Sequence, residues 1–153
     1  MVKNNNFYLL IMQTSFKFIV NFELGTQTEI NILPIIQKYF NDITIVRSLD
    51  RYANFDYTNN RNILIELKTR SNEYNKYDDT LINVVKINKA KLLCNTKNIY
   101  FFFYFKDGLY FWKYNKSDKL NYRIGGRSDR SNKYNEKKLY SHIPINLLTK
   151  INF

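Results

Sequence analysis

The stretch "IYFFFYFKDGLYFWKYN", residues 99–115, constrains the fold more than any other part of the chain. Two aromatic runs flank Lys106-Asp107-Gly108, and Asp-Gly supplies the positive φ of a tight turn, so the segment reads as a β-hairpin. Side chains alternate between the two faces of a strand, and here both faces are apolar. A sheet built on such strands has to be covered on both sides.

The rest of the chain supplies the covers and further strands. "ITIVRSL" (43–49) alternates and is rich in β-branched residues, so it predicts a strand. "RYANFDYTNNRN" carries a second extended piece and an Asn-rich turn, and "ILIEL" (63–67) follows as the next strand. Together they read as a hairpin turning near Asn59-Asn60. Before them, Ile32, Leu33, Ile36 and Phe40 recur at helical spacing. Gly25 marks a break and Thr28 is the candidate N-cap; Pro34 is cheap only if the helix starts close before it. "YDDTLINVVKINKAKLL" predicts a helix over roughly 79–93, capped by Asp78 or Asp79, with Leu81, Val84 or Val85, Ala90 and Leu93 as its stripe. Residues 7–24 are apolar with poor helical periodicity and are expected to form an extra strand or an N-terminal packing segment. "RIGGRSDRSNKYNEKK" reads as a basic loop, and "IPINLL" as a short strand or closing helix. The order predicts an α/β or α+β single sheet flanked by helices. No repeat or Pro/Gly/Ser linker divides the chain, so one domain over 1–153 is expected, with 1–24 as an N-terminal apolar segment and 25–153 as the core.

Charge and cysteine use narrow the function classes. The formal net charge is +11, from 24 Lys and Arg against 13 Asp and Glu. That favours a polyanion partner. Part of the excess has another source: Asn, Lys, Ile, Tyr and Phe dominate and Ala is nearly absent, a pattern of AT-rich codons. One cysteine, Cys94, and one histidine, His142, exclude an intrachain disulfide and a Cys/His zinc site. The single cysteine fits a reducing, intracellular compartment. "FYLLIM" is too short to span a bilayer and is not followed by a small-residue cleavage site, so neither secretion nor a membrane partner is expected.

The candidate chemistry lies in "NILIELKTR", residues 62–70. In a strand, Ile63, Ile65 and Leu67 point one way, and Leu64, Glu66 and Lys68 the other. Glu66 and Lys68 then lie ~7 Å apart along one face. Charges on a buried strand need a partner or a metal. Asp56, across the Asn-rich turn, is placed to complete a pocket, with Asp50 as its rival. Two converging carboxylates and a backbone carbonyl, here that of Leu67, make a hard oxygen site for Mg²⁺. Lys68 would position or deprotonate a bound water, or stabilise a pentavalent phosphorus.

Asp56 followed by Glu66-Leu67-Lys68 resembles the PD-(D/E)XK nuclease superfamily, although the first element reads "FDY" and not Pro-Asp. "YANFDY", "ELKTR", "FFFYFKDGLYFWKY" and "IPINLL" look like small nuclease-like proteins of large DNA viruses. The resemblance implies a restriction-endonuclease-like fold, with a central four- to five-stranded mixed sheet between helices. It implies cleavage of a DNA phosphodiester with Mg²⁺ or Mn²⁺. It also implies a further metal ligand on the first helix, for which Glu29 is in place. A residue on the helix after the Glu-X-Lys strand would reach the site: Lys86 first, Lys89 second, Tyr77 third.

The bland readings are specific too. Glu66 and Lys68 would be a cross-strand ion pair, Asp56 a turn cap, Glu29 a carboxylate favoured by the helix dipole, and Lys86 a solvated lysine. The aromatic hairpin with Trp112 reads as core, and His142 and Cys94 as structural. Arg70, Arg123, Arg127, Arg130 and Lys133 are the candidate phosphate contacts, or else a solvated basic run. The leading expectation is a metal-dependent DNA nuclease, acting as a homodimer if it cuts both strands. The alternative is an inactive nucleic-acid-binding protein of the same fold, and a third is an inhibitor or structural protein.

Overall fold

The computed structural model describes residues 5–50, 52–125 and 138–153. The aromatic hairpin forms as its sequence requires: β5 (Asn98–Phe105) and β6 (Gly108–Lys113) pair antiparallel, and Gly108 takes φ 152° at the turn. Its two faces enter two separate cores. Phe102, Leu109 and Phe111 pack on one side, and Phe101, Phe103, Phe105, Tyr110 and Trp112 on the other.

These strands sit in a six-stranded mixed sheet, one or two strands wider than expected. Its order is β1-β2-β3-β5-β6-β9, where β1 is Val46–Arg47, β2 is Tyr57–Thr58, β3 is Ile63–Thr69 and β9 is Thr149–Ile151. All its pairs are antiparallel except β3 with β5. The strand expected over 43–49 is cut to two residues. The turn between β2 and β3 falls at Asn59 and Asn60. The Asn59 side-chain oxygen accepts from the backbone N–H groups of Arg61, Asn62 and Ile63 at 3.0, 3.0 and 2.9 Å, and Asn60 takes a φ of 57° that Asn tolerates.

One face is covered by α1 (Asn5–Phe40), which corrects the expectation for 7–24: that stretch is helix from residue 5 onward. Gly25 does not break it, because it faces open space and costs only ~1 kcal/mol there. Thr28 is no N-cap; its hydroxyl donates to the Leu24 carbonyl one turn back, at 2.8 Å. Pro34 lies inside the helix. Its cost of ~3 kcal/mol is offset by the neighbouring Ile32 and Ile36, buried against the sheet at ~1.5–3 kcal/mol each.

The other face is covered by α2 (Val84–Leu93) and a second sheet of three strands, in order β4-β8-β7. These are β4 (Asp79–Asn83), β7 (Asn121–Gly125) and β8 (Lys138–Pro144). The helix expected over 79–93 is therefore a strand followed by a helix. Asn83, not Asp78 or Asp79, is the N-cap, accepting from the Val85 N–H at 2.9 Å. Of the expected stripe, Val85 is exposed and Ala90 buried; Ile87, which was not in that stripe, is the second buried residue of α2. The C-terminal stretch is the end of β8, a 3-10 turn (Ile145–Leu147) and β9. No helix among the described residues is long and apolar enough to cross a membrane.

Candidate active site

The alternation of β3 puts Ile65 and Leu67 in the core under α1 and turns Leu64, Glu66 and Lys68 toward α2. Glu66 is 1% exposed and lies opposite Phe101 of β5. An isolated carboxylate there would be costly, and both of its oxygens are met by ammonium groups. Lys68 Nζ lies 2.5 Å from Oε1, and Lys86 Nζ, from the first turn of α2, 2.8 Å from Oε2. Lys86 also donates to the Asn54 carbonyl at 2.5 Å and stands 5.8 Å above the Phe55 ring.

Asp56 reaches the same place from the other strand of the hairpin. Its N–H donates to the Ile65 carbonyl at 2.9 Å, so that Asp56 and Tyr57 both stand against Ile65 where β2 begins. Its Oδ2 accepts from the Leu67 N–H at 2.7 Å. Burial, then the neighbouring charge of Glu66, push its carboxyl up to about 6. The loop before it is stapled: the Ser48 N–H donates to the Asp56 carbonyl at 2.7 Å, and the Ser48 hydroxyl to the Phe55 carbonyl at 2.9 Å.

Glu29 of α1 adds a third carboxylate to this region, and its charge also raises Asp56. It is held by Arg47 Nη1 at 3.1 Å, while the Tyr57 hydroxyl donates to its backbone carbonyl at 2.9 Å. Glu29, Arg47, Asp50 and Asp56 line one cavity of about 230 Å³. Asp50 lines it too but is engaged in its own turn, accepting from the Tyr52 N–H at 2.9 Å. Arg47 is the residue that sequence reading passed over. Its signal was a lone arginine in the otherwise apolar alternation "ITIV" to "SL".

The remaining candidates lie apart from this cluster. The Arg70 guanidinium is engaged with the Thr80 hydroxyl at 2.9 Å, the Leu81 carbonyl and the Phe103 ring. Burial lowers it to about 10, so it ties β3 to β4. Arg123 is exposed on β7. Arg127, Arg130 and Lys133 lie outside the described residues. Tyr77 is exposed beside Lys76, 5.6 Å from its ring. His142 pairs with Asp79 at 2.9 Å, and Trp112 is buried with its indole N–H on Asp118 at 2.7 Å.

Among the described residues, no group of three or more His, Cys, Asp or Glu is arranged to hold a metal ion. A Mg²⁺ ion asks for less: one or two carboxylates, with water and substrate phosphate filling the other positions. Asp56 and Glu66 fit that requirement. They are hard donors, and after burial the charge of Glu66 is what raises Asp56, a repulsion that a divalent cation relieves.

The raised carboxyl carries its own prediction. Asp56 ordinarily titrates at 3.8 and is held at about 6 in the folded chain. As pH rises through this window the unfolded chain loses the proton first, so stability falls from about pH 4 to 6, by at most ~3 kcal/mol. Asp56→Asn keeps an acceptor for the Leu67 N–H and removes the charge. It should melt several degrees above the unmodified chain at neutral pH and show no advantage near pH ~3.5. Equal melting temperatures at neutral pH would refute this account of Asp56.

No curated protein and no solved structure matches the chain. A family model described as "Phage putative PDDEXK endonuclease" matches residues 13–151. With nearly the whole length matched, and with Asp56 facing the Glu66-Leu67-Lys68 strand, the chain belongs to this phage PD-(D/E)XK endonuclease family.

Proposed function

We propose that the chain is a Mg²⁺- or Mn²⁺-dependent DNA nuclease that hydrolyses phosphodiester bonds at Asp56, Glu66 and Lys68. The observation that carries this reading is the fully buried Glu66, gripped by two lysines beside a second carboxylate. Buried ion clusters are poor stabilisers compared with apolar packing, and perturbed, coupled groups beside a cavity mark functional sites.

In this reading Asp56 and Glu66 hold the metal and Glu29 supports it across the cavity. When bound, the ion acidifies a coordinated water and offsets charge at phosphorus. Lys68, on a rigid strand next to Glu66, orients that water or donates to a phosphate oxygen as charge develops there. Lys86 works from the other side of the same carboxylate. Arg123, Arg127, Arg130 and Lys133 contribute sequence-independent phosphate contacts, whereas Arg70 is better read as a strut. Cutting both strands of a duplex calls for a homodimer, one site per strand.

The test is incubation with single-stranded, duplex and supercoiled DNA in Mg²⁺, Mn²⁺ or EDTA. Cleavage that needs the metal is expected. Binding without cleavage in every metal would favour a nucleic-acid-binding protein. Affinity should also fall steeply with salt, because each Lys or Arg on a phosphate releases a counterion. The Arg127→Ala, Arg130→Ala double variant should lower the slope of log K against log salt by ~2. An unchanged slope would remove that stretch from the phosphate contacts.

A further inference from the structure

Resting on the reading of Asp56 and Glu66 as metal ligands, we propose that Lys86 is a positioning residue that couples metal binding to DNA binding. In the free protein it occupies Glu66, and an incoming phosphate draws it away. The argument begins with charge. Asp56 and Glu66 bring two carboxylates, Lys68 and Lys86 two ammonium groups, and each oxygen of Glu66 already has a cation at 2.5 or 2.8 Å. A divalent ion gains little from a site whose charges are balanced, and it must compete for an oxygen that is in use.

The two lysines are held differently. Lys68 sits on the same strand as Glu66. Lys86 comes from α2 and is shared: it donates both to Glu66 and to the Asn54 carbonyl, and it stands over Phe55. Its ammonium carries three donors, and the Lys86 side chain is about one quarter exposed while Glu66 is buried. It can therefore keep Asn54 and exchange Glu66 for a phosphate oxygen without losing its anchor. That exchange leaves Glu66 Oε2 without its cation and the cluster with excess negative charge, the condition under which a divalent ion binds well. Linkage then works both ways: DNA raises affinity for the metal and metal raises affinity for DNA by the same factor.

The experiment measures Mn²⁺ binding to the full chain by calorimetry, alone and with a short duplex of phosphorothioate linkages. The same duplex is titrated without protein to subtract its own Mn²⁺ uptake. For the unmodified chain, DNA should tighten Mn²⁺ binding about tenfold, within the usual range of coupling. Lys86→Gln should bind Mn²⁺ about tenfold more tightly without DNA, and DNA should then add little. Lys89→Gln removes the same charge from the same helix and should behave like the unmodified chain. Lys86→Met serves as the second variant if Lys86→Gln fails to fold. Loss of folding in both would make Lys86 a structural clamp and overturn the coupling. Equal or weaker Mn²⁺ binding in Lys86→Gln, or an undiminished DNA effect, overturns the proposal alone. No Mn²⁺ binding to any variant, with or without DNA, overturns the metal reading of Asp56 and Glu66 together with it.

Discussion

Lys68→Ala should cut the DNA cleavage rate by about a thousandfold, the scale of losing one well-placed donor or proton-transfer group, while DNA affinity and folding change little. The Lys68 side chain is about one third exposed and its partner Glu66 keeps Lys86, so the fold loses no more than a partly solvated contact. Glu66→Ala should lose turnover to a similar extent and Mn²⁺ binding as well. If the contact were only an ion pair within β3, each variant would melt lower and cut as before. Rates and melting temperatures measured on both variants separate these cases. Full activity in a folded Lys68→Ala protein would end the assignment of cleavage to this site.

Removing both lysines is a different matter. Lys68→Ala with Lys86→Ala leaves Glu66 at 1% exposure with neither cation. Breaking a buried pair from one side costs ~3–5 kcal/mol, which is a fall of ~10 °C in Tm for a chain of this size. Replacing the whole cluster, with Glu66→Leu, Lys68→Met and Lys86→Met, should restore or exceed the original Tm, because apolar packing often outperforms a buried ion cluster. That triple variant should be stable and unable to cleave. A double variant as stable as the unmodified chain would mean that water reaches Glu66 freely.

The parts of this fold that could be read in advance were those whose signal is local. The 98–113 hairpin carries its turn chemistry and both of its faces in one stretch. The alternation around Glu66 fixed which side chains share a face, and Lys86 was reached through the resemblance to a nuclease superfamily. What escaped depends on distant partners. Asp79–Asn83 alternates, with Thr80 and Ile82 buried between half-exposed or exposed neighbours, yet its strand partner is β8. Read alone, those residues merge with the helix behind them. The N-terminal half of α1 lacked helical periodicity, and Gly25 and Pro34 looked like punctuation. The buried face of its second half, Ile32 and Ile36, is set by a sheet the local pattern does not contain. Arg47 escaped for a similar reason, because its partner Glu29 lies on α1, across the last turns of that helix and a loop.

The stretch from β8 to β9 gives one strand to each sheet, which bears on how the protein is made. Leu81 waits for His142 as its pairing partner, and α2 packs against a core that includes Ile143. A chain emerging from the ribosome therefore contains Asp56, Glu66, Lys68 and Lys86 long before it contains β8. Such distant pairings form late, since loop closure has to precede any gain from contact. The core into which α2 packs is thus completed only near the end of synthesis.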